Sequence, residues 1–369
     1  MKKIFLLIII LLFVSIICGA CSKDDVITDN EKYIDTLVIS DTTFKKDTII
    51  KRDTIINNTD TIIQIDTIVH IDTVVKTDSI VDTVLKQITI ADPFIMLHND
   101  TFYAYVTANT NLGFPVYTSD NLMVWDYKGY ALSVENTNNQ TLFWAPEVYN
   151  IDGQFYMFYA SNRQIYLAAA DSPLGPFKQI TENPVVEDYG IDPSLFIDDD
   201  GKRYLNYTIH LNVYIAELNE DMKSIIKNTR KSCFKTKQDW EKVERGDNEG
   251  SFLIKHKGLY YMTYSGNKWQ SQHYGVGVGI SNSVMGPWTK VDYNPILQFP
   301  QNLVGTGHHS FFWDKEGKLK IVFHAHYDKN NVSPRQMYIS DVHFEEQENA
   351  PDKMVIDTEN IITPLYYKK

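Results

Sequence analysis

The chain has 369 residues, longer than most single domains, but propellers and barrels reach this length as one unit, so it does not require two catalytic domains. A formal charge of −12 with no block of Lys and Arg argues against a nucleic-acid partner, because phosphate backbones are held by clustered cations. The aromatic fraction of 13%, led by 23 Tyr, points to β-structure or to a surface that stacks on sugars.

Residues 1–20 read as an export signal: Lys2 and Lys3 supply the positive region, Ile4 to Ile17 the apolar run, and Gly19-Ala20 the small residues before Cys21. The apolar run is too short for a comfortable membrane span. Ile17-Cys18-Gly19-Ala20-Cys21 resembles a bacterial lipobox, which implies that Cys21 becomes the acylated first residue of the mature protein. In the linker 21–34, Ser22-Lys23-Asp24-Asp25 resembles the acidic export tag of Bacteroidetes surface lipoproteins. That resemblance implies an outer-membrane, cell-surface location, with membrane contact through the lipid anchor only. With Cys18 removed and Cys21 acylated, Cys233 is the remaining thiol, which excludes an internal disulfide framework. It reads as a small buried hydrophobe.

Residues 35–87 repeat an Asp-Thr-aliphatic unit, as in Asp35-Thr36-Leu37, Asp47-Thr48-Ile49, Asp53-Thr54-Ile55 and Asp60-Thr61-Ile62. Rich in β-branched residues and without Gly or Pro, they predict an extended stalk, with a short β-solenoid as the alternative. The units also resemble the O-glycosylation sites of exported Bacteroidetes proteins, which implies modification at Thr36, Thr48 or Thr54.

Residues 88–369 carry a longer repeat. Five times a turn signal precedes an alternating strand: Asn99-Asp100, Asp152-Gly153, Asp200-Gly201, Lys257-Gly258 and Glu316-Gly317. Each marks a hairpin tip. Their separation of roughly fifty to sixty residues is the length of one four-stranded propeller blade with its loops. Ser172-Pro173-Leu174-Gly175-Pro176-Phe177 is echoed by Ser283-Val284-Met285-Gly286-Pro287-Trp288, and no long amphipathic helix is evident. The expected fold is all-β, a five-bladed β-propeller preceded by the signal peptide and stalk.

About a dozen residues before each tip tyrosine or its equivalent, the blade's first strand begins: Asp92-Pro93-Phe94, Trp144-Ala145-Pro146-Glu147, Asp192-Pro193-Ser194, Glu249-Gly250-Ser251 and His308-His309-Ser310. Innermost strands run along a propeller's axis, so equivalent starts converge on one mouth of the channel. Asp92, Asp192 and Glu249 share a phase that Glu147 does not. Carboxylates gathered this way repel one another and need partners, which a purely structural core would avoid. The set suits hydrolysis of a glycosidic bond, which needs one carboxylate as base or nucleophile and one carboxylic acid. The third can raise the acid's pKa.

Taken in order, Asp92-Pro93, Trp144-Ala145-Pro146-Glu147, Asp192-Pro193-Ser194-Leu195-Phe196, Glu249-Gly250 and Gly305-Thr306-Gly307-His308 resemble glycoside hydrolase family 43 over the whole chain after the stalk. The resemblance implies that Asp92 is the general base, Glu249 the general acid and Asp192 the residue that tunes and orients the acid. It implies inversion at the anomeric centre, for which the base and acid carboxyls stand roughly 6.5 to 9.5 Å apart. Trp144, Arg335 and His308 are the expected substrate-binding residues. No cofactor is required, although His308 resembles the channel histidine that helps hold a structural calcium ion.

The implied substrates are polysaccharides or oligosaccharides containing arabinose or xylose. An exo-acting α-L-arabinofuranosidase or β-xylosidase is preferred over an endo-arabinanase, an exo-β-1,3-galactanase or a non-catalytic glycan-binding propeller. Trp269 and His273, in the segment 265–273, are candidates for a sugar subsite.

Overall fold

The computed structural model describes residues 83–368, together with short strand segments at Leu37–Ile39, Thr43–Phe44 and Val74–Val75. The export signal, Cys21, the linker and nearly all of the Asp-Thr repeats lie outside the described residues. Of two compact units, the one comprising 36–43 and 76–369 holds the folded domain.

Five antiparallel four-stranded units follow one another in sequence, each one blade, and the first is part of a larger sheet. Their innermost strands are Ala91–His98, Phe143–Ile151, Ile191–Ile197, Asn248–His256 and Gly307–Trp313, in blades 1 to 5. Each turns back through the expected tip into a second strand: Thr101–Thr107, Gln154–Ser161, Arg203–Ile209, Leu259–Gly266 and Leu319–Ala325. Asn99-Asp100, Asp152-Gly153 and Lys257-Gly258 take positive φ at both residues, the turn whose twist matches that of the flanking strands. The Asp198–Gly201 and Asp314–Gly317 tips are longer, closed by bonds from Gly201 N to the Asp198 carbonyl and from Gly317 N to the Asp314 carbonyl. The two Ser-to-aromatic echoes both link a third strand to a two-residue fourth, in blades 2 and 4.

The aromatic residues serve mainly to pack blade on blade. The largest fully buried side chains, from Trp125 to Phe323, are all aromatic. Phe114 meets Phe143 between blades 1 and 2 at 5.5 Å, Phe252 meets Phe311 between blades 4 and 5 at 5.7 Å, and Phe102 meets Phe312 where blade 5 returns to blade 1 at 6.0 Å. Such ring pairs add about 0.5–1.5 kcal/mol each beyond the area they bury.

The ring closes on blade 1. Strand Leu365–Lys368 lies between Val124-Trp125, which it joins in parallel, and Thr83–Gln87, which it joins antiparallel. Thr83–Gln87, the end of the segment 35–87, is thereby part of the blade 1 sheet, and Leu37–Ile39 extends it by a further strand. Ile88 and Ile90 then run beside Arg335 and Met337 of blade 5 before the chain enters blade 1.

One irregularity recurs in every blade and positions the site. The innermost strand carries one extra residue near its start, so that two residues oppose one: Asp92-Pro93, Ala145-Pro146, Asp192-Pro193, Gly250-Ser251 and His308-His309. The first residue of each pair has a φ between 40° and 55°. This is a β-bulge with its first residue left-handed, and it re-aims side chains at the strand's end. Opposite the bulges sit Val106, Tyr159, Tyr207, Tyr264 and Phe323, all fully buried.

Candidate active site

The bulges bring Asp92, Asp192 and Glu249 to one mouth of the channel, each 7% exposed. That is enough burial to perturb their protonation and enough access for a substrate atom. Asp92 and Asp192 are the first residues of their bulges, whereas Glu249 precedes its own, at Gly250. Glu249 therefore stands one residue out of the phase that the sequence suggests, and Trp144 of blade 2 is its true counterpart. The longer side chain of Glu reaches back over that residue. Glu147 follows its bulge and differs in phase from all three.

Asp92 is held as a carboxylate. Arg335 Nη1 donates to its Oδ1 at 3.1 Å, His308 Nδ1 lies 3.4 Å from the same oxygen, and its own backbone N–H donates to His324 Nδ1 at 3.2 Å. Burial, the largest single influence, would raise its pKa, but the fields of His308 and Arg335 together with hydrogen bonds from Thr107 and Arg335 hold it below the ordinary value.

Asp192 and Glu249 are driven the other way. Burial, and then the negative charge of Glu249 and Asp92, raise the Asp192 carboxyl well above its usual range. Its one bond from backbone, Gly250 N to Oδ2 at 3.2 Å, only moderates this. Burial lifts Glu249 to about 7, opposed by Tyr274, whose hydroxyl donates to Oε1 at 2.9 Å, and reinforced by Asp247 and Asp92. Asp247 is fully buried and held by Arg245 at 2.6 Å. One ionised and two proton-retaining carboxyls within one mouth can take a proton from water and give another to a leaving oxygen.

Arg335 does more than expected of a surface strand residue. Its guanidinium lies 4.7 Å from the Trp269 ring centre and 3.3 Å from His324 Nε2, while bonded to Asp92. One face of Trp269 is thus taken by Arg335. His273 is built into its loop: its carbonyl accepts from Asn267 Nδ2 and Gln298 Nε2, and its ring meets Phe299 edge-on at 5.2 Å. Trp144 is half-buried at the start of the blade 2 strand, opposite Ala160. Cys233 is half-buried in the outer strand of blade 3, and burial raises its thiol far above the usual range.

The calcium expectation meets a poor donor set. His308 offers one imidazole beside a carboxylate already bonded to Arg335, whereas calcium takes about six to eight oxygens. No group of three or more His, Cys, Asp or Glu side chains placed to hold a metal occurs among the described residues. The side chains present at the mouth do not fit the ion.

Sequence reasoning missed Tyr274, His324, Asp247 and Thr107, whose hydroxyl accepts from Ala145 N at 2.9 Å. Three carry a faint signal: His324 pairs with Gly307, Thr107 pairs with Ala91 beside Asp92, and Asp247 lies two residues before Glu249. Tyr274 has a clearer one in Gly307, because a Cβ there would stand 2.4 Å from the tyrosine ring. Part of the Gly-Thr-Gly-His segment is therefore glycine to admit the partner of Glu249.

A family model described as "Glycosyl hydrolases family 43" matches residues 82–349. The chain is 28% identical over 264 residues to a β-D-galactofuranosidase of Aspergillus niger, covering 64% of this chain and 74% of that protein. It is 25% identical over 301 residues to an extracellular exo-α-(1→5)-L-arabinofuranosidase of Cellvibrio japonicus, covering 67% and 81%. Among solved structures, one titled endo-1,4-β-xylanase from Bacteroides thetaiotaomicron superposes with a TM-score of 0.73 at 37% identity, covering 76% of this chain and 98% of that one.

Proposed function

The chain belongs to glycosyl hydrolases family 43 and is a glycoside hydrolase, and from that premise we propose that Asp92 is its general base, Glu249 its general acid and Asp192 the group that keeps the acid protonated and aims it. In this reading Asp92 takes a proton from a water that attacks the anomeric carbon while Glu249 protonates the departing oxygen. The configuration inverts, because water arrives opposite the leaving group. Asp192 acts without touching the scissile bond: its Oδ2 accepts from the N–H of Gly250, next to Glu249, and because a second negative charge beside Glu249 is disfavoured the pair shares its protons.

The observation that carries the assignment is the opposite push on two carboxyls at one channel mouth, Asp92 down and Glu249 up. A surface that only bound glycan would have no use for it. The proposed substrates are α-L-arabinofuranosides or β-D-xylosides at the ends of plant polysaccharide chains. The family membership and the activity named for the Cellvibrio relative support this choice.

Release of 4-nitrophenol from the α-L-arabinofuranoside, β-D-xyloside and β-D-galactofuranoside, by wild type and E249A, tests it. Turnover of one of the first two, abolished in E249A, is the expected result. Turnover confined to the galactofuranoside would transfer the specificity to that sugar, and silence on all three and on arabinan oligosaccharides would remove the exo-pentosidase reading. Inversion is checked by the anomer first seen in the ¹H NMR spectrum of the product.

We also propose export and acylation at Cys21, followed by display on the cell surface, with Lys2, Lys3, the apolar run and Gly19-Ala20 as support. Labelled palmitate incorporated by wild type and not by C21A is the expected outcome; equal labelling would dismiss it.

A further inference from the structure

We propose that His326 is a positioning residue for the base: by fixing the Trp269 carbonyl it holds the indole against Arg335, and through Arg335 it sets the orientation of Asp92. The inference rests on the assignment of Asp92 made above. Four contacts form the line. His326 Nε2 lies 2.9 Å from the Trp269 carbonyl oxygen, the Trp269 ring centre is 4.7 Å from Arg335 Cζ, and Arg335 Nη1 is 3.1 Å from Asp92 Oδ1. Behind His326, its backbone N–H donates to the Val304 carbonyl at 2.9 Å.

The chemistry of each link is specific. A carbonyl oxygen only accepts, so the imidazole must carry its proton on Nε2 to make the bond. Burial lowers the His326 pKa, which favours the neutral ring with one such proton. His326 is 3% exposed, and the space its ring occupies exists because residue 305 is glycine: a Cβ there would stand 2.1 Å from it. With φ at +63°, residue 305 also has a backbone conformation that side chains resist. The adjoining loop is tied down as well, through Gly305 N to the Gln272 carbonyl at 2.9 Å.

A guanidinium gripped at one edge by Asp92 and covered on its face by an indole has few rotamers left. Remove the indole, and the long side chain regains freedom that the carboxylate alone must restrain. A purely space-filling role at position 326 would be met by an apolar side chain and would require no N–H. The line also accounts for the first glycine of the Gly-Thr-Gly-His segment, as Tyr274 accounts for the second.

The test uses the full-length protein and the aryl glycoside that wild type hydrolyses fastest. H326A and W269A are expected to lower kcat roughly ten- to hundredfold, the scale of a displacement of about 1 Å at the reacting groups. KM stays nearly constant, and the double variant falls no further than the worse single one, because both act along one line. H326Q, whose amide supplies an N–H at similar reach, stays within about threefold of wild type. Wild-type kcat in H326A, a change confined to KM, or H326Q as slow as H326A would overturn the proposal.

If H326A does not fold, H326F, which keeps a ring but has no N–H to give the Trp269 carbonyl, takes its place with the same expected loss. Absence of turnover in wild type would count against the hydrolase assignment and not against this one, which is then decided by the side-chain ¹⁵N–¹H signal of Arg335. Slow exchange in wild type and H326Q with fast exchange in H326A or W269A supports the line; equal exchange in all four breaks it.

Discussion

Asp92 and Glu249 differ by one methylene, and their neighbours make them chemically unlike. Arg335 and His308 keep Asp92 ionised into acidic solution, while burial keeps Glu249 protonated up to about pH 7. The expected profile of kcat/KM is a bell whose acidic limb lies below the ordinary carboxylate range and whose alkaline limb lies near 7. Tyr274 pulls Glu249 down by donating to it, so Y274F should move the alkaline limb upward by on the order of one pH unit. A limb that stays put or moves down would show that Tyr274 is not the acid's partner. Glu147 supplies a stability test. Burial lifts it from 4.5 to about 8, so between those values the native state holds a proton that the unfolded chain has released. Its contribution to stability is complete below 4.5 and is lost as the pH rises through 8. E147Q should therefore be more stable than wild type at about pH 9, by roughly a few kcal/mol, and differ little at about pH 4. Urea melts at both values measure this, and equal melts at the higher pH would contradict it.

The bulge is the element that turns a repeated strand into a site. Pleated strands send successive side chains to opposite faces, so a regular innermost strand would offer the channel only every second residue. One extra residue in left-handed conformation brings Asp92, Asp192 and His308 to the mouth from its first position, and Glu249 from the position before. Asp before Pro was legible in the sequence as a strand start, yet the bulge was not, since its hallmark is a backbone angle. That is why the three carboxylates could be placed at strand starts while Glu249 was given the wrong phase. Backbone room matters in the same way at Gly307. G307A would press a methyl into the Tyr274 ring and should lower kcat roughly ten- to hundredfold with the fold retained. Wild-type kcat in a folded G307A protein would show that the ring has another place to go.

At the scale of the whole molecule, closure depends on strands far apart in the chain. Leu365–Lys368 bridges Thr83–Gln87 and the outer edge of blade 1, so the ring is joined by the two ends of the folded domain. Deleting residues 365–369 leaves both edges unpaired. The thermal midpoint should drop by on the order of 5–10 °C, read by calorimetry, with turnover at low temperature preserved. An unchanged midpoint would mean that the bonds of Ile88 and Ile90 to blade 5 suffice.

The sequence by itself determined the number of blades, because each hairpin tip needs local turn chemistry that survives in the letters: Asn99-Asp100, Asp152-Gly153, Lys257-Gly258. It also determined which carboxylates converge, because repetition places equivalent residues at equivalent strand starts. The tertiary structure alone decided what those carboxylates are. Whether Asp92 or Glu249 keeps its proton depends on Arg335, Tyr274 and Asp247, brought there by other strands and loops, and field and burial are properties of position in space that no local pattern records.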